Sequence, residues 1–206
     1  MKMEGKNSIL VVLMLSIFAI AGVISFTGMR PLNMPILRSM QNDPGVYYRR
    51  AQQHMLTDPG YAITLYNRAI ELDPEYEEAY YQRGLAERAV GNPQAALADV
   101  ERALELHPNE PNYIFARGNL YKDLGDIEAA LADFSRAIEL RPEYPVPYYN
   151  RANTYYDLGE LELALADYTT FVELYRPRDQ FRLAALNRIE ELSGITSWET
   201  EVLIGP

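Results

Sequence analysis

The sequence predicts an all-α protein: an α-solenoid of four helix-turn-helix units, closed by a C-terminal capping helix and preceded by one transmembrane helix. Three observations carry this. The chain repeats itself, with 34 residues separating Gly84 from Gly118, Ala96 from Ala130, Ala103 from Ala137 and Pro108 from Pro142; a period of that length marks stacked helical units. Breaker residues recur with it: Asp58-Pro59-Gly60, Gly91-Asn92-Pro93, Gly125-Asp126 and Gly159-Glu160 within units, and Pro74, Pro108 and Pro142 between them. Finally, no residue from Ser8 to Met29 is charged, and a helix rising about 1.5 Å per residue needs about 20 such residues to cross a bilayer.

The N-terminal segment, 1–29, carries Lys2 and Lys6 ahead of the apolar run. Its length favours an uncleaved anchor in the membrane through residues 8–29. The alternative is a cleaved signal peptide, with Ala19-Ile20-Ala21 as an A-x-A site, which would leave a secreted or periplasmic adaptor. Lys2 and Lys6 before the run balance Arg30 and Arg38 after it, so charge does not set the orientation. The short basic N-terminus resembles an export signal, and the expectation is a single-pass membrane protein with extracytoplasmic repeats. Residues 30–42, interrupted by Pro31 and Pro35, read as a linker.

A constant 34-residue frame places the units at 43–76, 77–110, 111–144 and 145–178, without insertion or deletion. First helices are expected near 45–56, 78–90, 112–124 and 146–158, and second helices near 60–72, 94–106, 128–140 and 162–175. In this frame the fourth position is apolar and bulky (Val46, Tyr80, Ile114, Tyr148), and the eighth is small except in the first unit (Arg50, Gly84, Gly118, Ala152). Position 20 is alanine (Ala62, Ala96, Ala130, Ala164), position 24 is large (Tyr66, Val100, Phe134, Tyr168), and position 27 is Ala69, Ala103, Ala137 or Phe171. Small residues allow two helices to touch; large ones fill the space beside them. Residues 179–194 form one more amphipathic helix, with Phe181, Ala184, Ala185, Ile189 and Leu192 on its apolar side and Arg182, Asn187, Arg188 and Glu190 elsewhere. The tail, 195–206, holds Trp198 and the apolar Val202, Leu203 and Ile204.

This pattern resembles the tetratricopeptide repeat (TPR) family. The resemblance implies a right-handed solenoid whose first helices line a concave groove that binds a partner polypeptide. Carried over position by position, it assigns Tyr47, Tyr81, Gln82, Arg88, Phe115, Asn119, Lys122, Tyr149, Asn150, Asn153 and Tyr156 to that groove. Asn119, Asn150 and Asn153 offer amides that both donate and accept, and Arg88 and Lys122 suggest an acidic group or C-terminus on the ligand. Members that grip chaperone tails use lysine and asparagine where this chain has Tyr47 and Ala51, asparagine where it has Gln82, and lysine and arginine where it has Asn112 and Ala116, so that clamp is missing.

Charge and missing chemistry narrow the function. The net charge is −10, distributed as +3 over residues 1–40 and −13 over 41–206; an acidic body repels phosphate backbones, so no nucleic-acid partner is expected. The absence of cysteine removes disulfides and thiolate metal sites. No phosphate-cradling loop, zinc-protease or hydrolase motif occurs, and His54 and His107 stand apart from any partner. The expectation is a non-enzyme, without cofactor, metal or small-molecule substrate. Arg83, Arg117 and Arg151 at position 7 recur with Asp99, Asp133 and Asp167 at position 23, a pattern suited to a structural ladder of bidentate ion pairs. The function read from these features is a membrane-anchored interaction scaffold or assembly factor holding an extended segment of a partner protein. The alternative is a permanent subunit of a membrane complex, packing through its convex face and tail.

Overall fold

The computed structural model describes residues 42–194. Among these, every regular element is a helix, arranged as four consecutive pairs: α1 (Pro44–His54) with α2 (Pro59–Leu72), α3 (Glu77–Ala89) with α4 (Pro93–Leu106), α5 (Pro111–Leu124) with α6 (Ile127–Leu140), and α7 (Pro145–Leu158) with α8 (Leu161–Leu174). A last helix, α9 (Gln180–Ser193), follows. Each helix packs on its pair mate, and each second helix packs on the next element, as expected when a unit cannot bury its apolar face alone.

Local chemistry sets the boundaries. Asp43, Asp58, Asp126 and Asp179 accept hydrogen bonds from the first free backbone N–H groups of α1, α2, α6 and α9, and prolines open α1, α2, α4, α5 and α7, where a missing N–H costs nothing. Gly125 and Gly159 end α5 and α7 in the left-handed region, at φ 85° and 79°, which side chains with a Cβ resist.

The pairs close on small residues. A Cβ on Gly118 would lie 2.8 Å from the Phe134 ring and 3.1 Å from Asp133 Cβ, and one on Gly84 would lie 3.0 Å from the Ala96 carbonyl oxygen. Opposite them the alanines at position 20, Ala62, Ala96, Ala130 and Ala164, are fully buried.

The first unit departs from the constant frame. Ala51, not Arg50, is the fully buried small residue of α1, while Arg50 is exposed. Tyr48 meets Tyr66 at 5.8 Å between ring centroids, as Phe115 meets Phe134 at 5.8 Å and Tyr149 meets Tyr168 at 6.1 Å. Arg68 lies over Tyr47 as Arg102 lies over Tyr80, both at 5.9 Å. Thus Tyr47 corresponds to Tyr80, Tyr48 to Tyr81 and Ala51 to Gly84. The first unit is one residue shorter between its helices, and the expectation of four units without deletion is corrected. A close helix contact admits alanine and excludes arginine, so α1 moves by one residue and the turn at 55–58 absorbs the change.

At the other end α9 packs Ala185, Leu186 and Ile189 against Ala152, Ala164, Tyr168, Phe171 and Val172. Arg182, placed on the polar side by its sequence pattern, is buried. Its guanidinium donates to the carbonyl oxygens of Val172 and Tyr175, the latter at 2.6 Å, and so satisfies the open C-terminal end of α8.

The expected single-pass localisation is also corrected. Among the described residues no helix is long and apolar enough to cross a membrane. The segment 8–29 to which the span was assigned, with most of the linker and the 195–206 tail holding Trp198, lies outside the described residues.

Two predictions follow from the packing. Gly118→Leu forces a side chain into the Phe134 ring and should lower stability by about 1–3 kcal/mol in urea unfolding; an unchanged midpoint would show that α5 and α6 do not meet as described. The buried Tyr66 hydroxyl has no partner among the described residues, whereas Tyr168 donates to Asn153 Oδ1 at 2.7 Å. Tyr66→Phe should therefore stabilise the protein and Tyr168→Phe destabilise it, each by about 1 kcal/mol; shifts of the same sign would refute the assignment.

Candidate functional site on the first-helix face

The arginines at position 7 of the last three units reach across their own helix pair. Arg83, Arg117 and Arg151 each donate through Nε and Nη2 to both carboxylate oxygens of Asp99, Asp133 and Asp167; the Nε bonds are 2.8, 2.8 and 2.7 Å. The three aspartates are 7, 6 and 6 % exposed. Pairing with the carboxylate raises each arginine pKa against the opposing effect of burial. Two of the arginines also reach the preceding unit: Arg83 Nη1 donates to Asn67 Oδ1 at 2.6 Å and Arg151 Nη1 to Ser135 Oγ at 2.9 Å. In the first unit Leu65 stands where the aspartate would be, and Arg50 lies over the Tyr61 ring instead, at 5.7 Å.

A second ladder runs between successive first helices. Arg88 on α3 donates to both oxygens of Asp123 on α5, the Nη2 bond measuring 3.2 Å. Lys122 on α5 lies 3.6 Å from Asp157 on α7. Tyr156 on α7 donates to Glu191 on α9 at 2.6 Å, with Arg188 bonded to the same carboxylate and lying over the Tyr156 ring at 4.0 Å. Each rung joins a residue to one 35 positions later, so α9 takes the place that the first helix of a further unit would occupy. The Arg88–Asp123 pair is partly exposed, at 42 and 36 %, and worth about 0.2–1 kcal/mol.

This geometry changes the character of the expected groove residues. Arg88 and Lys122, read as cations offered to an acidic ligand, already face carboxylates of the chain. Asn150 Nδ2 donates to Asn119 Oδ1 at 2.6 Å, and Asn153 accepts from Tyr168, so the three asparagines are tied within the structure. Tyr47 is packed under Arg68; Tyr48 takes the place expected for it. Tyr81, Phe115 and Tyr149 remain partly exposed while their rings meet Tyr113, Tyr144 and Phe171 at 4.6, 5.6 and 4.9 Å. Burial, helped by the charge of Glu110 and the neighbouring Tyr144 and Tyr48, pushes the Tyr81 hydroxyl up to about 12, so its ring stays neutral at any physiological pH. Gln82, also partly exposed, makes no hydrogen bond among the described residues. Asp123 and Asp157 fall on this face in the position-by-position reading, but their pairing, and that of Glu191, was not expected; its signal was a carboxylate recurring one position after the residue that pairs in the unit before.

Among the described residues no three His, Asp or Glu side chains converge to hold a metal ion. Open hollows on the surface include one of about 460 Å³ between Glu101, Leu104, Ile114, Arg117 and Arg136, and one of about 480 Å³ beside Arg178, Arg182, Leu183 and Leu186.

No curated protein matches the sequence. The fold is shared with solved structures of MamA, at 20 % identity and TM-score 0.61 over 78 % of this chain and 86 % of the other. A MamA fragment from Desulfovibrio magneticus RS-1 aligns at 22 % identity and TM-score 0.62, over 69 % and 81 %. YrrB, described as a TPR protein with an unusual peptide-binding site, aligns at 18 % identity and TM-score 0.59, over 82 % and 96 %. The description "TPR repeat" matches residues 61–91 and 118–159, and "Tetratricopeptide repeat" matches 77–120 and 147–177. Over residues 61–177, therefore, the chain is built of tetratricopeptide repeats.

Proposed function

We propose that this chain is a non-enzymatic interaction scaffold that holds an extended segment of a partner protein against the face lined by its first helices. One observation supports this above the others. Tyr81, Phe115 and Tyr149 keep part of their rings accessible on successive first helices, at one-repeat spacing, while the surfaces between helices are closed by alanine and glycine. Aromatic rings with an apolar body and fixed orientation bind at low entropic cost. The fold is shared with YrrB, a protein described as having a peptide-binding site, which fits the same reading.

A second reading, a permanent subunit packed through other surfaces, draws on Leu161 and Leu163 of α8 and Leu183 of α9, exposed at 47, 49 and 56 %. Photocrosslinking separates the two. A benzophenone side chain replacing Gln82 should capture a partner polypeptide in cell extract, and one replacing Leu163 should not; capture from Leu163 alone would reject the first-helix face in favour of the second reading.

A further inference from the structure

Polar groups on the first-helix face are not equally satisfied along its length. From α5 to α9 they answer one another: Asn119 with Asn150, Asn153 with Tyr168, Lys122 with Asp157, and Tyr156 with Glu191. Toward α1 and α3, where Gln52 donates to Tyr48 and Arg88 to Asp123, others are left open. Among the described residues the exposed carboxylate of Glu78 has no ion pair and the half-buried amide of Gln82 has no hydrogen bond. On α2 the buried Tyr66 hydroxyl has no hydrogen-bond partner among the described residues, and its ring lies 5.8 Å from that of Tyr48.

Charge points the same way. Burial raises the hydroxyl pKa of Tyr48, Tyr76 and Tyr113, and the Glu78 carboxylate adds a smaller push in the same direction to each. Glu78 lies one turn before Tyr81 and Gln82 on α3 and so shares their side of the helix. Tyr113 in turn stands 4.6 Å from Tyr81, and Tyr48 stands 5.1 Å from Tyr76. Arg49, the basic group acting on Tyr76, is 3.8 Å from Asp43. Arg88, the cation of α3 on this face, is bonded to Asp123. A carboxylate without a counter-ion beside neutral phenol rings is the arrangement that attracts a lysine or arginine side chain, through Coulomb attraction and through the negative faces of the rings.

Resting on the segment-binding reading above, we infer that the segment seats at the α1–α3 end of the face and is basic, presenting a lysine or arginine to Glu78 between Tyr48 and Tyr81, with Gln82 bonding its backbone. This reverses the acidic ligand suggested by Arg88 and Lys122 in the sequence, because those cations are already paired within the chain.

The test uses the full chain and a random peptide display library, followed by titration of the enriched peptides against the protein and two variants, Glu78→Gln and Gln82→Arg. Both positions are accessible, and unfolding midpoints equal to the parent's verify that the variants fold. The expected pool is rich in lysine and arginine, binds about fivefold more weakly to Glu78→Gln, and weakens again with Gln82→Arg. An acidic pool that binds more tightly to Gln82→Arg would overturn the charge assignment while leaving the segment-binding reading in place. A pool indifferent to both variants would overturn the basic seat at the α1–α3 end while leaving the segment-binding reading in place, and no enrichment at all would overturn both.

Discussion

The structure depends on one interaction, the bidentate bond between a position-7 arginine and a position-23 aspartate. The carboxylates of Asp99, Asp133 and Asp167 are nearly out of water, where a lone charge would be expensive. Two parallel N–H bonds from a planar guanidinium satisfy both oxygens and fix distance and rotation together. That bond holds the second helix against the first at the level where Gly84 or Gly118 lets the backbones approach. The remaining Nη1 of Arg83 and Arg151 then reaches Asn67 and Ser135 of the unit before. The same side chain closes its own pair and sets where the next pair stacks. An ion pair of this kind adds less to net stability than its strength in isolation suggests; its larger effect is to make other helix registers costly.

The first unit shows what happens without it. With Leu65 in place of an aspartate, Arg50 is left on the surface over Tyr61. Apolar packing alone decides the register: Ala51 is buried, Tyr48 meets Tyr66 and Tyr76, and the unit shortens by one residue. The Tyr66 hydroxyl has no partner there among the described residues, while Gln52 donates to Tyr48 at 3.0 Å. The irregular unit is thus also the place where polar groups are left over.

Most of the architecture was legible because a fixed period repeats every helix start, turn and small contact residue. Helix limits differ from the expected ones by no more than two residues, and the arginine and aspartate positions were visible as a recurring pair. What misled was applying the period too strictly. Tyr47-Tyr48-Arg49-Arg50-Ala51 reads directly onto Tyr80-Tyr81-Gln82-Arg83-Gly84 and Tyr148-Tyr149-Asn150-Arg151-Ala152, and that local match would have revealed the missing residue. The candidate face was legible in position but not in state. A sequence lists Arg88, Lys122 and Asn119 as available groups; only the stacking of neighbouring helices shows that Asp123, Asp157 and Asn150 occupy them. Arg182 was misplaced for a related reason: its partners are backbone carbonyls, which leave no trace in side-chain patterning.

The guanidinium and carboxylate act as a coupled unit rather than as two separate polar contacts. A double-mutant cycle on Arg117 and Asp133, with Arg117→Met, Asp133→Asn and the combination measured by urea unfolding, tests it most directly. The expected coupling energy is about 1–3 kcal/mol, with each single variant destabilised because it strands the other partner. Additive single effects, with coupling below about 0.5 kcal/mol, would contradict it.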